Sequence, residues 1–204
     1  AEGERKRFNV LFDQQLLEID VEMAERRQLS IQSGNFNAVA LRLSPRRLSK
    51  YRTILWLSDA SERTPLLIRA GTPLGEVRAE LTGASVIGHT GLTSRAQNGP
   101  IQLSPAGSTN LPYPFKVGER LSYNISWGNF LNVGRASLEV RQSGLLNSQP
   151  VLELVGEASS SGPIRSVITV NDQVTSLVRT DSLIPIRTDL RLREGRRNKS
   201  DTAI

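Results

Sequence analysis

At 204 residues with 38% apolar content, the chain has material for one large β domain or two small ones with a sizeable core. Zero cysteines exclude disulfides, thiolate metal sites and thiol nucleophiles, and the single histidine, His89, leaves nothing from which to build a Ser-His-Asp relay or a histidine-rich metal site. A net charge of +6 invites a nucleic-acid reading, but Arg187, Arg191 and Arg193 alternate with Ile186, Leu190 and Leu192, the pattern of a solvated strand face.

In chain order, residues 4 to 12 read as a strand with Phe8, Val10 and Phe12 on one face. Leu17, Ile19, Val21 and Met23 then alternate with Glu18, Asp20 and Glu22 too strictly for a helix, with a turn or two of helix at most over Glu22 to Arg27. Ser33-Gly34-Asn35 is a turn, after which Val39, Leu41 and Leu43 alternate with Ala38, Ala40 and Arg42. Pro45 to Lys50 is a basic connection. Tyr51 to Leu57 is apolar on nearly every residue, as expected for a strand covered on both sides or lying at the centre of a sheet. Polar turns at Ser58 to Glu62 and Gly71 to Gly75 separate strands at Thr64 to Ala70 and Glu76 to Leu81, giving a meander.

From Gly83 to Pro114 the composition shifts to Gly, Pro, Ser, Thr and Asn without alternation, longer than loops inside a compact domain usually run. His89 lies here, in GHTG, and reads as a solvated loop residue. Beyond it comes the clearest hairpin. Leu121, Tyr123, Ile125 and Trp127 alternate with polar residues, Gly128 to Asn132 turns the chain, and Gly134, Ala136, Leu138 and Val140 alternate with Arg135, Ser137, Glu139 and Arg141, which predicts one dry face. Strands are expected at Val151 to Ala158, Ile164 to Asn171, Val174 to Arg179 and Ile184 to Arg193, with a tight turn at Asp172 and a polar turn at Asp181-Ser182.

The expected fold is therefore all-β, antiparallel meander sheets forming a curved half-barrel or barrel. Two β-rich halves, 1–87 and 113–204, are joined by a linker over 88–112. Every apolar run is interrupted by charge, so no window reaches the roughly 18 to 20 apolar residues of a membrane helix. The start, AEGERKRFNVLF, has no apolar stretch of signal-peptide length, so an export signal would lie outside this chain.

The last residues, REGRRNKSDTAI (193 to 204), repeat the first: Glu194-Gly195 falls on Glu2-Gly3, a basic run follows each, and Ile204 falls on Phe12. One reading is a single strand of a duplicated fold written twice; chance similarity of two basic strands is the other.

PFKVGERLSYNISWG (114 to 128), VGRASLEV (133 to 140), DSLIPIRTDLRLREG (181 to 195), ILWLSDASERTPLLIRA (54 to 70) and TPLGEVRAEL (72 to 81) together resemble the bacterial domain-of-unknown-function family numbered 3108. The resemblance implies an exported, periplasmic or otherwise extracytoplasmic antiparallel β protein with no established activity. Family order is reversed here, as tandem copies, a permutation or a fragment would each give; if the halves belong to different copies, they could still close on each other, within one molecule or by strand exchange in a dimer. The recurring pattern of Asp, polar turn, Pro and alternating strand, at Asp59 to Ile68 and Asp181 to Leu190, also looks like periplasmic lipoprotein-carrier half-barrels.

The leading functional expectation is a non-enzymatic envelope binding or carrier module for a lipid or other amphipathic ligand, lined by Trp56, Tyr123, Trp127 and Phe130. The plainer reading makes these aromatics core. The alternative is a structural or protein-interaction domain that docks an envelope protein through a strand edge or through a basic patch at Arg46, Arg47, Lys50 and Arg52. Nucleic acid is disfavoured, no cofactor or metal is called for, and an enzyme ranks third. The carboxylates Asp59, Glu62, Asp172 and Asp181 all fall in predicted turns, where Asp is expected for its backbone hydrogen bonds. GTPLG (71 to 75) lacks the Lys and the helix of a phosphate loop.

Overall fold

A computed structural model describes residues 3–12, 15–46, 52–73, 75–86, 104–105, 113, 115–166, 169–195 and 197–203. They form β1 (Arg5–Phe12), β2 (Gln15–Ile31), β3 (Gly34–Pro45), β4 (Thr53–Ser58), β5 (Pro65–Thr72), β6 (Gly75–Val86), β7 (Ser104–Pro105), β8 (Glu119–Trp127), β9 (Phe130–Leu146), β10 (Gln149–Ser160), β11 (Asn171–Arg179), β12 (Pro185–Glu194) and β13 (Arg197–Ala203). A single 3-10 turn at Gly162–Ser166 is the one helical element among the described residues. Hydrogen-bonded neighbours run β1-β2-β3-β4-β5-β6-β8-β9-β10-β11-β12-β13, with β7 beside β9, so the strand order is an open antiparallel meander. The all-β expectation holds. His89 lies outside the described residues.

Several local expectations are corrected. The alternation over Leu17 to Met23 continues to Ile31 as one strand, and a register shift between Met23 and Glu25 replaces the short helix considered for Glu22 to Arg27. An extra residue in one strand switches which residues face which side, and that switch is what interrupts the sequence pattern. Ile164 does not begin a strand; Gly162, at φ 66°, leads into the 3-10 turn. Nor is Asp172 in a turn: it pairs with Ala158 within β11, and its carboxylate accepts the Arg193 N–H at 2.9 Å. On β9, Ser137 is 8% exposed while Leu138 is 44% exposed, reversing the predicted dry face at that step. The Ser137 hydroxyl is held by Arg120 and Glu157, which favours its burial over that of Leu138.

The chain forms two compact units, interleaved along the sequence. Unit 1 holds residues 1–83, 123–136 and 160–165. Its registers define two faces. Phe8 opposes Ile19 and Val10 opposes Leu17; Val21 opposes Leu43, Met23 opposes Leu41, Leu41 opposes Leu55 and Leu55 opposes Ile68. Directly opposed residues point to the same side, so this is one apolar face spanning five strands. On the other side Arg5, Glu22 and Arg42 line up across β1 to β3, and further along Ala40, Trp56, Leu67 and Glu80 line up across β3 to β6. The second of these rows carries the core: Ala40 is 1%, Trp56 2% and Leu67 3% exposed.

Unit 2 holds residues 84–122, 137–159 and 166–204. Its core is Val140, Leu152 and Val178, with Phe115, Val117, Leu154 and Leu183 packed on it. Tyr113 stacks on Phe115 with ring centroids 5.4 Å apart.

The β4-β5 and β11-β12 hairpins use the same device twice. Each has a register shift just before its proline partner, at Trp56/Leu57 with Pro65 and at Leu177/Val178 with Pro185. In each, a non-glycine residue two positions before the proline takes positive φ, Arg63 at 50° and Leu183 at 55°. The closing backbone bonds also correspond, Ser58 N–H to Thr64 and Arg179 N–H to Ile184. Proline lacks an N–H for the ladder, so a bulge at its entry lets each strand begin without a lost bond.

Candidate functional site

Trp56 is interior, with the Arg27 guanidinium 4.5 Å above its ring. Tyr123 is 3% exposed and donates its hydroxyl to the Pro65 carbonyl at 3.0 Å, tying β8 to the start of β5. Trp127 is half-buried, and its indole Nε1 lies 3.4 Å from where a Cβ on Gly75 would stand. Phe130 is 65% exposed, across the Gly128-Asn129 turn from Trp127. The four aromatics thus divide into two interior residues and two that flank one hairpin turn.

Arg46 is exposed and bonds Glu18 at 3.2 Å, and Arg52 is exposed while its carbonyl accepts the Gly71 N–H. Arg47 and Lys50 lie outside the described residues. Along the same face Arg5 bonds Glu22 at 3.0 Å and Arg7 bonds Asp20 at 2.9 Å, so much of the cationic surface of β1 to β3 is matched by acids from the neighbouring strand. The Arg7 hydrogen bond, foremost, holds the Asp20 carboxyl below its ordinary value and raises Arg7.

What the sequence did not single out is the opposite face of the same strands. Leu17, Ile19, Val21, Met23, Leu41 and Leu43 are half-buried where core residues would be fully buried, and beside them Phe8 is 51% and Val10 39% exposed. The alternation reveals that these side chains share a side, but not that the side is left partly uncovered.

A second feature lies in unit 2. Arg120 donates to Glu139 at 3.2 Å, Ser137 at 3.0 Å and Glu157 at 3.3 Å; Gln173 donates to Glu157 at 3.1 Å and Gln142 to Glu153 at 2.6 Å. Arg141 lies 3.7 Å from both Glu139 and Glu153. Each carboxylate here is held by a cation or an amide, as buried charge requires. In sequence these residues look like an ordinary polar strand face, and only the fold brings them together.

Of the turn carboxylates, Asp181 is clamped by Arg179 at 3.0 and 2.5 Å. Asp59 accepts from Arg63 and Arg26, each at 2.6 Å. The Arg63 bond, foremost and against some desolvation, holds the Asp59 carboxyl below its ordinary 3.8. A lowered folded value means that this stabilisation is complete above about pH 4 and is lost as pH falls through the folded value. The gap in melting temperature between the native chain and Asp59→Asn is therefore expected to be constant at neutral pH and to close below about pH 4. A gap unchanged down to pH 2.5 would exclude this role for Asp59.

Among the described residues no group of three or more His, Asp or Glu is placed to hold a metal ion, and no helix is long and apolar enough to cross a membrane. No curated protein and no solved structure matches the chain. The two segments that carry these strands, residues 1–82 and 122–203, match one family, described as Protein of unknown function (DUF3108), and the chain belongs to it.

Proposed function

We propose that the protein is a non-enzymatic binding or carrier module of the bacterial envelope, and that it holds an apolar or amphipathic ligand on the apolar face of β1 to β5. The envelope setting rests on the family resemblance. The observation that carries the ligand reading is the partly uncovered apolar face that holds Phe8, Val10, Ile19, Val21 and Leu43, on strands whose reverse side is salted with paired Arg and Glu. Contiguous exposed apolar area rimmed by polar residues is costly to leave in water, and it marks a binding surface more often than it occurs by chance.

A single-chain fluorescent fatty acid serves as the probe. It is expected to bind the native chain, and Val21→Lys, which places a charge on that face, should weaken it about tenfold, roughly the cost of setting an ammonium against an apolar ligand tail. Ser44→Lys, exposed on the reverse face, should leave the affinity unchanged. No probe binding to the native chain, or equal loss in both variants, would discard the proposal.

A further inference from the structure

Among the described residues β1 and β13 are the two ends of the ladder, and each is hydrogen-bonded on one side only, β1 to β2 and β13 to β12. They are also the two copies of the repeated segment. With Glu2-Gly3 set on Glu194-Gly195, Arg5 corresponds to Arg197, Arg7 to Lys199, Asn9 to Asp201 and Val10 to Thr202. The backbone agrees with this alignment. Gly3 has φ 84° and Gly195 has φ 59°, both in the left-handed region that only glycine adopts freely, and each stands just before its strand. One sequence signal thus writes the same positive-φ glycine and the same basic edge strand twice.

We infer that β1 of one molecule takes the place of β13 on β12 of a second copy of this chain, so that the protein associates by strand exchange. β12 already shows the register that this requires. Glu194 pairs with Arg197, Leu192 with Lys199 and Leu190 with Asp201, so an incoming β1 sets Arg5 against Glu194, Arg7 against Leu192 and Asn9 against Leu190. Arg5 thus brings a basic residue opposite the acidic Glu194, in the ladder position that Arg197 holds. Lys6 against Arg193 is the one like-charge opposition, where β13 offers Asn198. In return Phe8, half exposed on a one-sided strand, gains a neighbour on its open side at Arg191, whose aliphatic stem can cover it. β12 keeps a full ladder, and the bonds that the displaced β13 gives up are offset by those that β1 gains on its open side, so the exchange has little enthalpic cost and is governed by concentration. Reciprocal exchange closes a dimer and serial exchange extends a chain of copies. The inference is independent of ligand binding on the apolar face.

The chain has no cysteine, so introduced thiols report without background. Asn9→Cys with Leu190→Cys places one thiol on β1 and one on β12, directly opposite in the exchanged register. Mild oxidation is expected to give covalent multiples of 22.5 kDa on a non-reducing gel. Leu190→Cys with Asp201→Cys instead ties β13 to its own β12. That variant should lose the oligomer at least about tenfold in light-scattering mass distributions, because a tethered strand outcompetes an intermolecular one by its effective concentration. Light scattering of the unmutated chain across a concentration series checks the same point where a variant folds poorly, and a rising mass is expected. A single-chain product from the first pair, whether its disulfide is intramolecular or absent, or a concentration-independent monomer mass for the native chain, overturns the inference.

Discussion

Leu152→Ala is expected to destabilise the protein by about 2–5 kcal/mol, read as a lower urea midpoint. Leu152 is 0% exposed and sits with Val140 and Val178 at the centre of the unit 2 core, with Phe115, Val117, Leu154 and Leu183 around it. Three of those neighbours are held by β-ladders, and a ladder cannot shift by a fraction of a register to fill a hole. The cavity should therefore stay open, which favours the upper half of that range. Ile184→Ala is the matched control. Ile184 follows Leu183 just before β12 but is 59% exposed, so its loss should change stability by no more than about 0.5 kcal/mol. Equal effects from the two substitutions would mean that the unit 2 core is not organised around Leu152.

The contrast between those residues also shows how far the sequence could be read. Strands, their order and most of their faces were legible because period-two alternation is a direct imprint of the pleat. The failures fall where the pleat is interrupted. The register shift at Met23/Glu25 exchanges sides in the middle of β2, and from the sequence it is indistinguishable from a break in the strand. Ser137 and Leu138 exchange burial because a hydroxyl has partners there, Arg120 and Glu157, that come from distant parts of the chain. The repeated pattern of Asp, turn and Pro was visible as spelling. That it encodes the same bulged hairpin twice, down to the positive φ of Arg63 and Leu183, required the backbone. The candidate site was the least legible part. Alternation says that Phe8, Ile19, Val21 and Leu43 share a side, but how much of that side is covered depends on neighbours that local sequence does not record.

Trp56 gives the second large effect and separates two contributions that are usually entangled. The indole is 2% exposed and lies in register between Ala40 on β3 and Leu67 on β5, and the small side chains of Ala38 and Ala40, both buried, leave the room that it fills. Trp56→Ala removes that volume where the flanking strands are fixed by their ladders, and should cost about 3–5 kcal/mol. Trp56→Phe is the informative variant. The Trp56 indole Nε1 has no hydrogen-bond partner among the described residues, so replacing it deletes a buried, unpaired donor together with the volume of one fused ring. Deleting an unpaired donor is favourable by about 1–3 kcal/mol and offsets much of the small cavity, so Trp56→Phe should lie within about 1 kcal/mol of the native chain. Arg27, over the ring at 4.5 Å, can stack on phenylalanine as well, and Arg27→Ala should cost about 0.5–1 kcal/mol on either background. The measurement is a set of urea denaturation curves for the single variants and for Arg27→Ala combined with Trp56→Phe. If Trp56→Phe proves as damaging as Trp56→Ala, the indole N–H has a partner worth keeping, and the centre of unit 1 is a polar site as well as a packing one.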